Sequence, residues 1–284
     1  MKIENMNDID MKNWKKYREE DIRTDSLWII GRRDNSGVHS PDYWGNFIPQ
    51  IPHQMMIRYT KKGETVLDPF LGLGTTLIEG KRLGRNGIGI ELNPKIANMA
   101  RKKIEEQTQL IYLDKENKKV KTLVLTGDSR TISIPKETGQ KNVQLIIMHP
   151  PYWDIINFSK DKNNLCNAST LNDFLKMFRE VVDNVTPLLD DGRFLALVIG
   201  DKYAKGEWIP LGFLTMNEVI KAGYILKSII VKNMSGNERG KGIANNLWRY
   251  RALKGGFCVF KHEYVMVFQK KIGGFKKEFL YFQA

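Results

Sequence analysis

Four apolar stretches each run into a polar residue at the same point of their pattern, and this repetition constrains the fold more than any other feature. "ETVLDPF" ends its apolar run at Asp68, "NGIGIELNP" at Glu91, "KTLVLTGDS" at Asp128 and "VQLIIMHPPYW" at His149. Each run has strand length. Helical stretches separate the first three: "TTLIEGKRLG", closed by Gly84, and "NPKIANMARKKIEEQ", opened by Asn93 and Pro94. Strands alternating with helices build a doubly wound, mainly parallel α/β sheet, whose ligands sit beyond the carboxyl ends of the strands. Asp68, Glu91, Asp128 and His149 are therefore expected along one edge.

The rest of the chain extends this pattern. "IPHQMMIRYT" reads as a short helix. In "STLNDFLKMFREVVDNVTPLLDDG", Leu171, Phe174, Leu175, Phe178, Val182 and Val185 fall on one helical face. "GRFLALVIGD" is a strand, "LTMNEVIKAG" a helix, and "ILKSIIVKN" and "FKHEYVMVFQK" are strands. The last two, joined by the polar stretch 233–256, predict an antiparallel hairpin at one edge of a seven-stranded sheet. Residues 1–40 read as an N-terminal arm carrying one apolar piece, "LWIIG", and residues 41–278 as the main domain. Phe279–Ala284 reads as the remnant of a protease-site tag. A chain of 284 residues suits one large domain of this kind.

Composition narrows the class. With 42% apolar and 27% charged residues, the chain reads as a soluble globular protein. No apolar run approaches membrane-spanning length, and no basic stretch followed by an apolar one opens the chain, so neither a membrane span nor an export signal is expected. Two cysteines, Cys166 and Cys258, fit a reducing cytoplasm. The four histidines, at 39, 53, 149 and 262, are scattered without ligand spacing, so no metal is expected. Lys and Arg outnumber Asp and Glu by 45 to 32, a net charge of +13 that favours a polyanionic partner.

The glycine turn after the first acid says what kind of ligand fits. "LDPFLGLGTT" places Asp68, Pro69 and Phe70 before Gly72 and Gly74, with a helix opening near Thr75. No Gly-Lys-Ser/Thr follows, and Gly72-Leu73-Gly74 continues into Thr75, Thr76 and Leu77, so neither the Walker pattern nor G-x-G-x-x-G is met. Glu91 is placed to hold two ribose hydroxyls, and Asp128 to accept from an exocyclic adenine amine. Three acids after three successive strands describe a pocket for a nucleoside without polyphosphate.

Together, "DPFLGLGTT", "LGRNGIGIELNP" and "HPPYW" resemble the S-adenosylmethionine-dependent amino-methyltransferases of DNA, the N6-adenine and N4-cytosine class, over roughly residues 40–270. The resemblance implies S-adenosylmethionine as cofactor and a Rossmann-like methyltransferase fold. It implies that Asp68 to Gly74 line the methionine end, that Glu91 holds the ribose, that Asp128 lies near the adenine, and that Phe47 to Pro52 border the cofactor. In "HPPYW", Pro150 and Pro151 stiffen a turn whose carbonyls are free to accept. His149 and Pro150 are expected to accept the two N–H groups of the target amine, and Tyr152 and Trp153 to stack on a base turned out of the duplex. His149 stands where the family usually carries Asp, Asn or Ser. A neutral imidazole can accept a hydrogen bond and an imidazolium cannot, so transfer is expected to fall as His149 protonates.

Arg239, Lys241, Arg249, Arg251 and Lys254 surround Trp248 and Tyr250 in the stretch 233–256, where basic and aromatic residues suit phosphate contact and base stacking. It reads as a DNA-contacting, target-recognising loop. His262 and Glu263 are strand neighbours facing opposite sides, and so read as structural or as supports of the turn rather than as an acid/base pair. The expectation is a site-specific DNA methyltransferase, with adenine N6 slightly favoured over cytosine N4, as in DNA modification or restriction-modification. Its partner is DNA, and a cognate restriction enzyme is a candidate second partner that the sequence does not reveal. An RNA or protein-glutamine methyltransferase, or an inactive cofactor-binding nucleic-acid module, remain the alternatives.

Overall fold

The computed structural model describes residues 6–19, 21–40, 45–110, 120–234 and 245–273. A two-residue strand, β1 (Leu27–Trp28), and helix α1 (Gln50–Tyr59) precede β2 (Thr65–Asp68), which is buried at all four positions. Then come α2 (Thr75–Arg82), β3 (Asn86–Glu91), α3 (Pro94–Leu110), β4 (Thr122–Thr126), a short α4 (Ile134–Thr138) and β5 (Val143–Met148). The second half holds α5 (Leu171–Val185), β6 (Leu189–Ile199), β7 (Lys202–Ala204), β8 (Glu207–Ile209), α6 (Leu211–Lys221), β9 (Tyr224–Asn233), α7 (Asn245–Gly255) and β10 (His262–Lys270).

Among the described residues, eight strands form the main sheet in the order β1-β9-β10-β6-β5-β2-β3-β4, and β7 and β8 pair as a separate hairpin. β6, β5, β2, β3 and β4 run parallel, whereas β10 is antiparallel to both β6 and β9. The carboxyl ends of β2, β3, β4 and β5 therefore share one edge, which carries Asp68, Glu91, Asp128 and His149.

Two details differ from the sequence expectation. The sheet has eight strands among the described residues rather than seven, because Leu27–Trp28 of the arm pairs with β9 and buries Trp28 completely. The closing strands do form the expected antiparallel hairpin at that end of the sheet, with only the two-residue β1 outside it and β10 as the inner strand, between β6 and β9. The buried run of β10 from Glu263 to Phe268 explains its inner place, because a strand covered on both faces and on both sides belongs in the sheet interior. The stretch 233–256 is not an open loop throughout, since α7 occupies residues 245–255.

Alternation along the strands makes two cores. Val66, Leu145 and Ile147 face one side with Trp28, Ile51 and Met55. Leu67, Ile146 and Met148 face the other with Phe174, Phe178 and Val182 of α5. α5 is set by its first turn, where Thr170 and Asp173 cap each other reciprocally. Truncating a fully buried ring such as Phe174 or Phe178 costs about 3–5 kcal/mol, so this helix pins the segment after the proline turn firmly.

Candidate active site

The loop after β2 is organised from beneath. Asp68 is fully buried; its Oδ1 accepts from the Phe70 amide at 2.9 Å and its Oδ2 from Thr76 Oγ1 at 2.5 Å. Burial, helped by the charge of Glu91, pushes its pKa up to about 7 against those two bonds. Asp68 thus braces the loop rather than lining the site, which corrects the sequence expectation. Gly74 (φ 88°) and Thr75 also stand behind it. A Cβ at Gly74 would lie 3.3 Å from Ile104 of α3, and Thr75 Oγ1 donates to Asn46 Oδ1 at 2.5 Å. Pro69, Phe70 and Gly72 do reach the cavity, as do Phe47 and Ile48 of the segment before α1.

Glu91, at the end of β3, accepts from the Gly72 amide at 3.0 Å on one oxygen and from the Asn93 amide at 2.8 Å on the other. Glu91 also lines the cavity, and burial raises its carboxyl above its usual range. Asp128 lines the same cavity, but Arg130 clamps it: Nε lies 3.1 and 3.0 Å from the two carboxylate oxygens and Nη2 lies 2.6 Å from Oδ2. The sequence reading missed that clamp, which fixes the direction of the acid.

The turn after β5 rests on a buried chain of polar groups. His149 Nε2 lies 3.1 Å from Tyr152 Oη, Tyr152 donates to Glu263 Oε2 at 2.8 Å, and Lys232 Nζ donates to Glu263 Oε1 at 2.7 Å. Lys232 and Glu263 are 4% and 7% exposed and face each other across β9 and β10. Burial opposes ionisation of Glu263, but Lys232 holds its carboxyl below the ordinary value. Burial, reinforced by Lys232 and opposed by Glu263, brings His149 down to about 4, so its ring is uncharged at neutral pH. Burial and the Glu263 carboxylate push the Tyr152 phenol well above its ordinary value. Glu263 therefore supports the turn, one of the two roles read from the sequence. Lys232 was missed, although a lysine inside "IIVKN" signals a buried charge that needs a partner.

Trp153 does not line the cavity. Its backbone is left-handed (φ 48°), its Nε1 donates to the Ala168 carbonyl at 2.9 Å, and the Lys202 ammonium lies 4.1 Å from its ring centroid. The indole is thus held behind the turn, which corrects its assignment as a base-stacking residue. Pro150 and Pro151 do line the cavity, and no described residue donates to the Pro150 carbonyl.

These groups bound one cavity of about 1090 Å³, above the ~300–1,000 Å³ of ordinary ligand pockets. Arm residues Ile30, Arg32 and Arg33 close one side, and Trp248 of α7 another. Arg249, Arg251 and Lys254 are exposed on α7, with the Arg251 guanidinium 5.3 Å from the Trp248 ring. Arg239 and Lys241 lie outside the described residues. Among the described residues no three His, Cys, Asp or Glu could hold a metal, and no helix is long and apolar enough to cross a membrane.

A doubly wound sheet with one antiparallel strand inside it, acids after successive strands and a cavity at their carboxyl edge define a Rossmann-like methyltransferase. A family model described as DNA methylase, of the N6/N4 methyltransferase type, matches residues 2–102 and 143–278. The chain belongs to that family, and its cofactor is S-adenosylmethionine. The type II methyltransferase M.MjaII of Methanocaldococcus jannaschii is 36% identical over 86 residues, 29% of this chain and 16% of its own length. M2.DpnII of Streptococcus pneumoniae, also a type II methyltransferase, is 30% identical over 112 residues, 34% of this chain and 42% of its own. The matches thus span less than half the length of these relatives. A methyltransferase from Pyrococcus furiosus aligns over 80% of this chain and 84% of its own, at 17% identity and a TM-score of 0.45.

The residues present suit that cofactor. The cofactor-side wall offers carboxylates (Glu91 and Asp128) and the Pro69–Gly72 loop, a donor and acceptor set for ribose hydroxyls and an adenine rather than for a polyphosphate.

Proposed function

We propose that this chain methylates an exocyclic base amine in DNA, acting in the cytoplasm as the modification enzyme of a restriction system. The observation that carries this reading is a single cavity bounded on one side by Glu91, Asp128 and Pro69–Gly72 and on the other by the His149–Tyr152 turn. S-adenosylmethionine, when bound, supplies an electrophilic methyl group. Glu91 holds the ribose, Asp128 and Ser129 face the adenine, and Pro69 to Gly72 border the methionine end.

The protein's task at the other side is to make a poor nucleophile attack. A base amine delocalises its lone pair into the ring. Uncharged His149 accepts one N–H and the Pro150 carbonyl the other, which favours a tetrahedral nitrogen and stabilises its growing positive charge. Tyr152 offers a ring wall for the extruded base, held by its hydroxyl, with the ring edge close against Gly200. In this reading residues 41–278 carry the chemistry with help from Ile30 to Arg33, and residues 233–256 read the DNA through exposed Arg249, Arg251 and Lys254. The acceptors grip an amine that adenine N6 and cytosine N4 share; we take adenine first.

The test supplies the full chain with methyl-labelled cofactor and duplex DNA, transfer RNA or protein, then digests the labelled product to its monomers. Label on N6 of adenine in DNA is the expected result. Label on cytosine N4 corrects the base alone. Label only in RNA or protein, or in nothing, overturns the reading.

A further inference from the structure

We propose that the Lys232–Glu263 ion pair, acting through Tyr152, fixes the tautomer of His149 so that the lone pair offered to the substrate amine is the one on Nδ1. The identity of the amine rests on the methyl-transfer reading above; the proton positions do not.

What each group can donate decides where the protons sit. An ionised carboxylate only accepts and an ammonium only donates. Lys232 Nζ occupies Glu263 Oε1, so Oε2, 2.8 Å from Tyr152 Oη, receives the phenolic hydrogen. A phenol has one hydrogen. Having given it to Glu263, the Tyr152 oxygen presents only lone pairs to His149 Nε2 at 3.1 Å, and Nε2 must carry the ring proton. Burial keeps the ring uncharged, and a neutral imidazole has one N–H, so Nδ1 is left bare. Nδ1 has no hydrogen-bond partner among the described residues, yet it is not among the side-chain atoms sealed from solvent without one. His149 itself lines the cavity, with the Phe47 ring centroid 4.9 Å from its own.

Packing alone does not ask for this pair, because buried ion pairs are often replaced by apolar residues without loss of stability. What Lys232 and Glu263 supply is direction. They are positioning residues, and they set which end of a symmetric-looking acceptor faces the substrate.

Glu263→Gln should reverse the chain. Lys232 can only donate, so it keeps the amide oxygen and turns the amide NH2 toward Tyr152. The phenol then accepts from the amide and donates to Nε2, and the ring proton moves to Nδ1. The volume of the side chain scarcely changes.

The experiment uses the full chain with 15N-labelled histidine, free of cofactor and DNA, and two-bond proton–nitrogen correlation spectra at neutral pH. His149→Asn identifies the signals. Wild type should show a protonated Nε2 and a bare Nδ1. Glu263→Gln should exchange them and lower kcat for methyl transfer by about 10²-fold, with little change in cofactor KM. A protonated Nδ1 in wild type overturns the proposal whether or not the variant folds, as does an unchanged tautomer in folded Glu263→Gln. The expected tautomers with no transfer to DNA support the relay and defeat the functional reading. Transfer to DNA with a protonated Nδ1 defeats the relay alone.

Discussion

Tyr152 Oη lies 2.8 Å from Glu263 Oε2, so the turn after β5 is tied to a strand 111 residues further along the chain. That bond explains how a cavity-lining turn of two prolines and two aromatics keeps one geometry. The prolines restrict the backbone locally, and the phenol is anchored in the buried pair between β9 and β10. Glu263 and Lys232 are direct cross-strand partners, so sheet register itself delivers the anchor.

Breaking that pair from one side should be costly. Glu263→Ala leaves the Lys232 ammonium buried without its carboxylate, and the chain should lose about 3–5 kcal/mol in denaturant unfolding. Adding Lys232→Met removes the uncompensated charge and should recover at least half of that loss. Methyl transfer should not recover with it, because Tyr152 still lacks its acceptor. Equal recovery of stability and rate would mean that the pair acts by packing alone.

The pH response of methyl transfer should follow His149. Its pKa lies near 4, with burial lowering it, Glu263 opposing and Lys232 adding to the fall. The ring therefore accepts above about 4 and loses that capacity as pH drops through it. The His149 contribution should stay level from about pH 8 to about pH 5 and fall only below, a window moved well under the ordinary imidazole value of ~6.5. His149→Asn keeps an acceptor and should retain more activity than His149→Lys, whose ammonium repels the developing charge. We expect the lysine variant to be lower by about 10²-fold or more in kcat. Equal rates in the two variants would remove residue 149 from the reaction.

Much of this site was legible because strand ends announce themselves. Asp68, Glu91, Asp128 and His149 each close an apolar run, and alternation with helices aligns such ends on one edge. Residue type, however, does not say where a side chain points: Asp68 turns inward to Phe70 and Thr76, and Trp153 turns back to Ala168. α7 was hidden because "NNLWRYRALKG" shows no apolar face directed at a core and is followed by glycines, which reads as a loop. The Lys232–Glu263 contact needs the residue-by-residue register of β9 against β10: two strands joined by a long polar stretch read as a hairpin, but a connection of that length does not say which residues face each other.

Asp68 should leave its own mark on stability. Its carboxyl is raised from 3.8 to about 7, so the folded chain binds the proton more tightly than the unfolded chain. That contribution is complete below about 3.8 and is lost as pH rises through about 7. Asp68→Asn removes this falling branch. Relative to wild type, the variant's unfolding free energy should climb between about pH 5 and about pH 7 by roughly 2 kcal/mol, at ~1.4 kcal/mol per pH unit. Parallel curves for the two proteins would show that Asp68 is ionised like an ordinary carboxylate.

The exposed face of α7 should carry the salt dependence of DNA binding. Arg249 and Arg251 are exposed beside a cavity wall formed by Trp248, where a phosphate backbone would pass as a base enters. Each phosphate neutralised contributes about 0.9 to the slope of log affinity against log salt. Arg249→Ala with Arg251→Ala should therefore reduce that slope by about 1 to 2 and weaken binding to all duplexes alike. Arg251 also lies over the Trp248 ring, so Arg251→Ala alone should loosen that aromatic and lower transfer more than Arg249→Ala does. Fluorescence anisotropy across a salt series, run with two unrelated duplexes, reads both the slope and its indifference to sequence. An unchanged slope would move the DNA track away from α7.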